Sequence, residues 1–228
     1  MNKKLPIYKI KMSSDCDYTE DGIIIDISDV QGTNCYMDDD ARLEIERRVK
    51  VIPTEAIHFI DSGNYHYMSL FFLERIKEPF DLIVFDNHTD YQKGAFGGIT
   101  SCGGWIREAY ERFHNLNKIY LIGTDQELAA GESFSDKVEL ISDSKEISSN
   151  KFPAYISIDK DVLSEMYYKA NWSQGKMTLN EMVSLVTEIM DSRNVIGIDI
   201  CGGTGDENDI AGNAMNRKAD FAILEALK

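Results

Sequence analysis

The residues of this chain best suited to chemistry are Asp86-Asn87-His88-Thr89-Asp90, set directly after the apolar run Leu82-Ile83-Val84-Phe85. Carboxylates and imidazoles are ligands for divalent cations, and alternate residues of an extended chain point to one side. With extended geometry persisting past the run, Asp86, His88 and Asp90 converge on one point at a strand end. Asp159-Lys160-Asp161 repeats the arrangement, with the same period of two, after Tyr155-Ile156-Ser157-Ile158. His66, in Asp61-Ser62-Gly63-Asn64-Tyr65-His66, follows a third β-rich run at the head of a helical stretch. Taken singly, each has a plainer reading: a strand-end Asp is commonly a turn residue or helix N-cap, and an isolated His signals little. Together they bring four carboxylates and two imidazoles to strand ends, where mutual repulsion calls for cations, and two divalent ions balance the charge. Mixed carboxylate and imidazole donors without thiolate suit Mn(II) or Fe(II). Zn(II), Co(II) and Ni(II) are also compatible, whereas a calcium loop looks different.

The elements that position these residues follow from periodicity. Runs rich in Ile, Val, Leu and Tyr predict strands over 23–27, 57–60, 82–85, 119–122, 138–141, 155–158 and 195–200. Several are apolar on both faces, as buried parallel strands are. Amphipathic stretches predict helices over 39–50, 65–76, 104–113, 179–191 and 214–227. Thr178 followed by Glu181 is a capping box for the fourth, and Met182, Leu185, Val186 and Ile189 form its core stripe. The alternation predicts an α/β fold, a mainly parallel sheet with crossover helices. With no repeat or linker, residues 1–228 read as one domain. The glycine-rich loop 202–213 follows a strand, where a parallel sheet places ligand-binding loops.

Composition removes several function classes. Across 228 residues, 24 Lys and Arg against 39 Asp and Glu leave a formal charge of −15, which repels nucleic-acid phosphates and anionic lipid surfaces. A 43% hydrophobic share with 10 Phe and 11 Tyr is that of a folded chain. No apolar run reaches the length of a membrane span, and the start has no signal-peptide pattern. Cys16, Cys35, Cys102 and Cys201 lie far apart without a CxxC pair, which argues against a zinc knuckle or a disulfide framework. A reducing cytoplasm is the expected compartment.

At the ligand-type residues the sequence resembles the arginase and agmatinase superfamily, the ureohydrolases, whose metal motifs are a GGDH-type His, a DxHxD cluster and an SxDxD pair. Here they read Gly63-Asn64-Tyr65-His66, Asp86-Asn87-His88-Thr89-Asp90 and Ser157-Ile158-Asp159-Lys160-Asp161, in the family's order, over a stretch from about residue 57 to the C-terminus. The resemblance implies an arginase-like three-layer α/β/α fold with a mainly parallel sheet. It also implies a binuclear manganese centre held by His66, Asp86, His88, Asp90, Asp159 and Asp161. The implied reaction is hydrolysis of a linear C–N bond in a guanidino or amidino small molecule, with a hydroxide between the two ions as nucleophile and Asp90 relaying its proton. Shorter loops extend the candidate substrates to arginine within a peptide. The family's oligomers suggest a homo-oligomer.

Several positions depart from the family pattern. The glutamate that grips a guanidinium after the LDI-type strand is replaced, since Ile198-Asp199-Ile200-Cys201 continues into Gly202. Asp206 and Glu207 of the same loop are its candidate replacements, against a plainer reading as a solvated acidic loop. The proton-shuttle histidine has no counterpart in Thr100-Ser101-Cys102-Gly103-Gly104-Trp105, and His114 reads as a surface residue. Cys102 is a candidate substrate contact or a packing residue, and Trp172 a cation–π wall or core. Asn34 and Tyr36 are placed either to reach the pocket or to serve a turn. The competing class is a catalytically silent metal-binding protein that keeps the fold; the retention of all six ligand types favours an enzyme.

Overall fold

Strands rich in Ile, Val, Leu and Phe send alternate residues into two separate cores. The computed structural model describes residues 5–13, 22–94, 98–141, 147, 150–206 and 208–227. In it β1 (Ile7–Lys11), β2 (Ile23–Asp26), β4 (Ile57–Ile60), β5 (Phe80–Phe85), β7 (Leu116–Ile122), β8 (Val138–Ile141), β9 (Ala154–Asp159) and β10 (Val195–Cys201) form one 8-stranded sheet. Its order is β2-β1-β4-β10-β9-β5-β7-β8, with every neighbouring pair parallel. The short strands β3 (Tyr36–Met37) and β6 (Thr100–Ser101) pair antiparallel outside it.

On β5, Leu82 and Val84 enter one core with α1 (Asp39–Val49), α2 (Ser69–Leu73) and α3 (Trp105–Arg112). Ile83 and Phe85 enter the other, with α5 (Leu179–Ser192) and α6 (Ile210–Ala226). The short α4 (Gln126–Ala129) follows β7. This is the three-layer α/β/α architecture, and each large apolar side chain buried in it contributes about 2 kcal/mol relative to exposure. The predicted capping box is present: Glu181 N donates to Thr178 Oγ1 (3.2 Å) and Thr178 N to Glu181 Oε2 (2.8 Å). Met182, Val186 and Ile189 are buried and Leu185 is partly so.

Two predicted elements differ. The helix expected over 65–76 is instead a 3-10 segment, Gly63–Met68, kinked at Tyr65 (φ −114°, ψ 15°), followed by α2. Ser69 Oγ donates to the His66 carbonyl (2.9 Å), a local bond that competes with regular helix pairing at this junction. The last helix begins at Ile210 rather than 214 because Asp209 caps it, accepting from Gly212 N (2.9 Å). β1, β3, β6 and α4 had no counterpart among the predicted elements. Among the described residues no helix is long and apolar enough to cross a membrane.

Candidate metal centre

Four neighbouring central strands, β4, β10, β9 and β5, end at one edge, and the three motifs lie at their C-terminal ends. His66 leaves β4 through the 3-10 segment. Its Nδ1 stands 3.3 Å from Asp86 Oδ2, 3.1 Å from Asp90 Oδ2 and 3.7 Å from Asp159 Oδ2. His88 Nδ1 stands 2.9 Å from Asp161 Oδ2 and 3.5 Å from Asp86 Oδ1. The six side chains thus form two overlapping triads with metal-ligand spacing, His66-Asp86-Asp90 and Asp86-His88-Asp161, with Asp86 common to both and Asp159 beside His66.

The convergence is not achieved by a continued strand. β5 stops at Phe85, and Asp86 Oδ1 accepts from His88 N (2.6 Å), folding the motif into a turn. Asp90 then adopts φ +43°, a left-handed conformation uncommon outside glycine. Trp105 Nε1 donates to its Oδ2 (2.8 Å), and its own carbonyl accepts from Ile106 N (3.0 Å), so two contacts from α3 hold it there. On β9 the plainer and the functional reading of Asp159 coincide: it caps a one-turn 3-10 helix, accepting from Asp161 N (2.9 Å), while facing His66.

Each imidazole is aimed by its far nitrogen. His66 Nε2 meets Ser157 Oγ (2.9 Å), whose hydroxyl donates to Asp199 Oδ1 (2.5 Å). His88 Nε2 meets Ser173 Oγ (2.9 Å). That pattern leaves both Nδ1 atoms directed at the carboxylates, the outer support metal-ligating histidines ordinarily have. His66 Nδ1 and Asp86 Oδ2 are buried without any hydrogen-bond partner, although buried polar atoms are rarely left so. A cation between them would satisfy both, so the donor set fits divalent ions.

The electrostatics agree. Burial, then the charges of Asp161 and Asp86, push Asp159 up to about 7, and burial followed by Asp86 pushes Asp161 up to about 6. Burial opposes the charged form of His88, but Asp161 and Asp86 outweigh it and raise the imidazole to about 11. Protons are held where cations would compensate the same charge.

Asp86, His88, Asp90, Asp159 and Asp161 floor a cavity of about 280 Å³, while His66 is fully buried and does not line it. Cys102, Tyr36 and Trp172 line it, and Trp172 Nε1 donates to Asn64 Oδ1 (2.8 Å) while its ring stands edge-on to His88. Asn34 does not line it but accepts from Asn64 Nδ2 (2.8 Å), bracing the same wall. Asp206 is exposed, engages Asn208 N (2.9 Å) and does not line the cavity, and Glu207 lies outside the described residues. His114 is exposed. The absence of a glutamate at Gly202 has a steric basis: its φ is +92°, and a Cβ there would stand 2.7 Å from Asp159 Oδ1. Gly63 is held likewise, its Cβ position 2.9 Å from Asp159 Oδ2.

Sequence reasoning missed other members of the wall. Glu132, after α4, and Gln92 and Cys35 line the cavity. The usable signal for Glu132 was topological, since it lies in the loop at the C-terminal end of a parallel strand next to β5. Cys201, fully buried, donates to Asp159 Oδ2 (3.2 Å) and forms a third triad with His66 and Asp159.

A family model described as "Arginase family" matches residues 5–202. The chain belongs to the arginase family. The match starts in the segment leading into β1, ahead of the first metal motif, so the family's likeness includes the N-terminal strands. A protein of Thermotoga maritima described as uncharacterized is 30% identical over 178 residues, covering 78% of this chain and 70% of its own. Among solved structures, arginase of Entamoeba histolytica in complex with L-ornithine has a TM-score of 0.69 at 10% identity, covering 98% of both chains. Formimidoylglutamase of Bacillus subtilis has 0.68 at 14% identity, covering 100% of this chain and 88% of its own. Agmatine ureohydrolase of Thermoplasma volcanium has 0.65 at 16%, covering 98% and 89%. At these identities the structural likenesses establish the arginase-like fold.

Proposed function

We propose that this arginase-family protein is a hydrolase of a linear C–N bond in a cationic guanidino or amidino compound, with two divalent ions, Mn(II) above others, held by His66, Asp86, His88, Asp90, Asp159 and Asp161. The observation that carries the reading is the pair of triads sharing Asp86, with two buried ligand-type atoms left unpartnered, five of the six side chains lining a cavity and His66 fully buried against them. Divalent ions held by these six side chains would lower the pKa of water and polarise the C–N group of the substrate. Ser157 and Ser173 hold the two imidazoles in orientation, and Trp105 holds Asp90. Asp90 Oδ1 is the proton carrier: it takes the proton from attacking water and returns it to the departing nitrogen as the C–N bond breaks.

Substrate charge is read by Glu132. It is the one carboxylate lining the cavity, among the described residues, that belongs to none of the three motifs. In the absence of a glutamate at Gly202 it is the group placed to face an amidinium or guanidinium, with Trp172 and Leu128 as apolar walls. The cavity suits a small molecule more than a peptide, and the structures it resembles include an agmatine ureohydrolase, a formimidoylglutamase and an arginase in complex with L-ornithine.

The test is metal content per chain after manganese loading, followed by urea and ammonia release from arginine, agmatine, an N-formimidoyl amino acid and an arginyl peptide. Two ions per chain and turnover of one small cation, with KM raised at least tenfold by Glu132→Gln, is the expected result. Two ions without turnover of any compound would replace the enzyme reading with that of a silent metal-binding member. Fewer than one ion would overturn both.

A further inference from the structure

Two of the thiols face each other across the cavity wall. β3 and β6 pair with Tyr36 opposite Ser101 and Met37 opposite Thr100, and one step along the same antiparallel register sets Cys35 opposite Cys102. The register is kept at that step, because Cys102 N donates to the Cys35 carbonyl (2.9 Å). Directly opposed residues of such a pair have Cα atoms about 4.5–5.5 Å apart, inside the span a disulfide bridges. The Cys35 thiol donates to Asn34 Oδ1 (3.8 Å), and both cysteines are free thiols lining the cavity.

The Cys35 side is braced rather than loose. On one flank the Tyr67 hydroxyl donates to the Thr33 carbonyl, and on the other Asn64 Nδ2 donates to Asn34 Oδ1 (2.8 Å). Cys35 itself sits at φ +59°. Cys35 is half-buried and Cys102 buried, so an oxidant in the cavity meets Cys35 first. Neither thiol belongs to the three metal motifs.

We propose that Cys35 and Cys102 are a redox-modification site, joining in a reversible disulfide that locks one wall of the cavity when a peroxide reaches it. The Cys35 sulfur attacks the peroxide oxygen, breaking the O–O bond to give a sulfenic acid and water. The Cys102 sulfur then displaces the hydroxyl of that sulfenic acid as a second water, so two thiols and one hydrogen peroxide give one disulfide and two waters. Burial raises both thiols above their ordinary range, which keeps them protonated and makes the step slow unless peroxide is sustained. Linking β3 to β6 ties together the two chain segments on one side of the cavity, so exchange between the cavity floor and solvent slows.

The experiment treats the manganese-loaded protein with hydrogen peroxide, alkylates the remaining thiols and maps the peptides by mass. The expected result is a Cys35–Cys102 crosslink, a loss of two hydrogens per chain, reversal by dithiothreitol, and no crosslink in Cys35→Ser or Cys102→Ser. Oxidation of Cys35 to sulfinic acid without a crosslink, or a crosslink to Cys16 or Cys201, overturns the site. The locking is read separately as the rate at which a chelator strips manganese: several-fold slower in the crosslinked protein is expected, and an unchanged rate overturns the lock. Neither readout depends on the substrate, so failure of the C–N hydrolase reading is distinguishable from failure of this one.

Discussion

His58 and His66 are equally buried, both at 0% exposure, and do opposite things. His58, on β4, stacks on Phe72 with ring centroids 3.7 Å apart and planes at 2°. Its Nε2 donates to the Pro53 carbonyl (2.8 Å), which fixes the neutral tautomer and leaves Nδ1 to accept from the Tyr155 hydroxyl (3.1 Å). Burial lowers its pKa to about 4, so the ring is a neutral, fully partnered part of the core. His66 has only its outer nitrogen partnered, and Cys201, Asp86 and Asp90 outweigh burial and hold its pKa well above the ordinary range. Burial therefore does not separate a structural histidine from a proposed ligand. The count of unsatisfied atoms and the sign of the neighbouring charge do.

The comparison is broken most severely at Asp86, the residue both triads share. Asp86→Ala is expected to weaken manganese binding by more than about 100-fold, beyond what loss of a supporting residue costs, and to leave fewer than one ion per chain by elemental analysis. A variant still binding two ions would show that the triads are not the site. His58→Ala should do the reverse: retain two ions per chain and lose about 3 kcal/mol of stability, through the emptied stack and the Pro53 carbonyl deprived of its donor. That corresponds to a fall in Tm of roughly 6–12 °C, measured by calorimetry. The same ring gives an acid limb. Its folded pKa of about 4 lies below the unfolded value of 6.5, so the unfolded chain binds the extra proton and stability falls as pH drops from 6.5 towards 4. In His58→Phe that part of the acid limb should disappear.

A smaller effect sharpens the contrast from the other side. Ser157 joins His66 Nε2 to Asp199, so Ser157→Ala leaves the proposed ligand set complete and removes only its support. Manganese affinity is expected to fall 10–100-fold, with two ions still bound at saturation. Titration with a competing chelator measures it; unchanged affinity would mean that packing against Trp105, 4.7 Å from the His66 ring, is what orients the imidazole.

The His66 side of this contrast was legible in the sequence, and what was not has physical causes. Ligand chemistry at short spacing, as in Asp86-Asn87-His88-Thr89-Asp90, is local, so residue types at a strand end pointed to the group, although the extended period expected to unite it stops at Phe85. The means of convergence were not local: the left-handed turn at Asp90 depends on Trp105, which lies fifteen residues on and on another element. The central strands announced themselves because burial on both faces demands unbroken apolar runs. β3 and β6, two residues each, carry no period to read. Glu132 was invisible for a related reason, since an acidic residue in a polar loop has meaning only once the strand order brings that loop beside β5. Gly202 shows the converse: the missing glutamate was evident in the sequence, while its cause, the carboxylate of Asp159 in the space a Cβ would fill, needed the structure.

The mildest test uses pH alone. Without cations, Asp159 and Asp161 have pKa values of about 7 and about 6 against an ordinary 3.8, so the folded protein holds protons the unfolded chain has released. Groups raised in this way stabilise the fold at low pH, and that contribution is lost as pH rises from about 4 through 7, opposite in sign to His58. Divalent ions must displace those protons, and affinity should rise up to about tenfold per pH unit for each proton displaced. The increase in Tm on adding manganese should accordingly be larger at pH 7.5 than at pH 5.5, and a chelator should abolish it at both. An increase of equal size at the two pH values would mean that binding displaces no proton from these carboxylates. The ions would then lie elsewhere, and the difference drawn between His58 and His66 would reduce to one of packing.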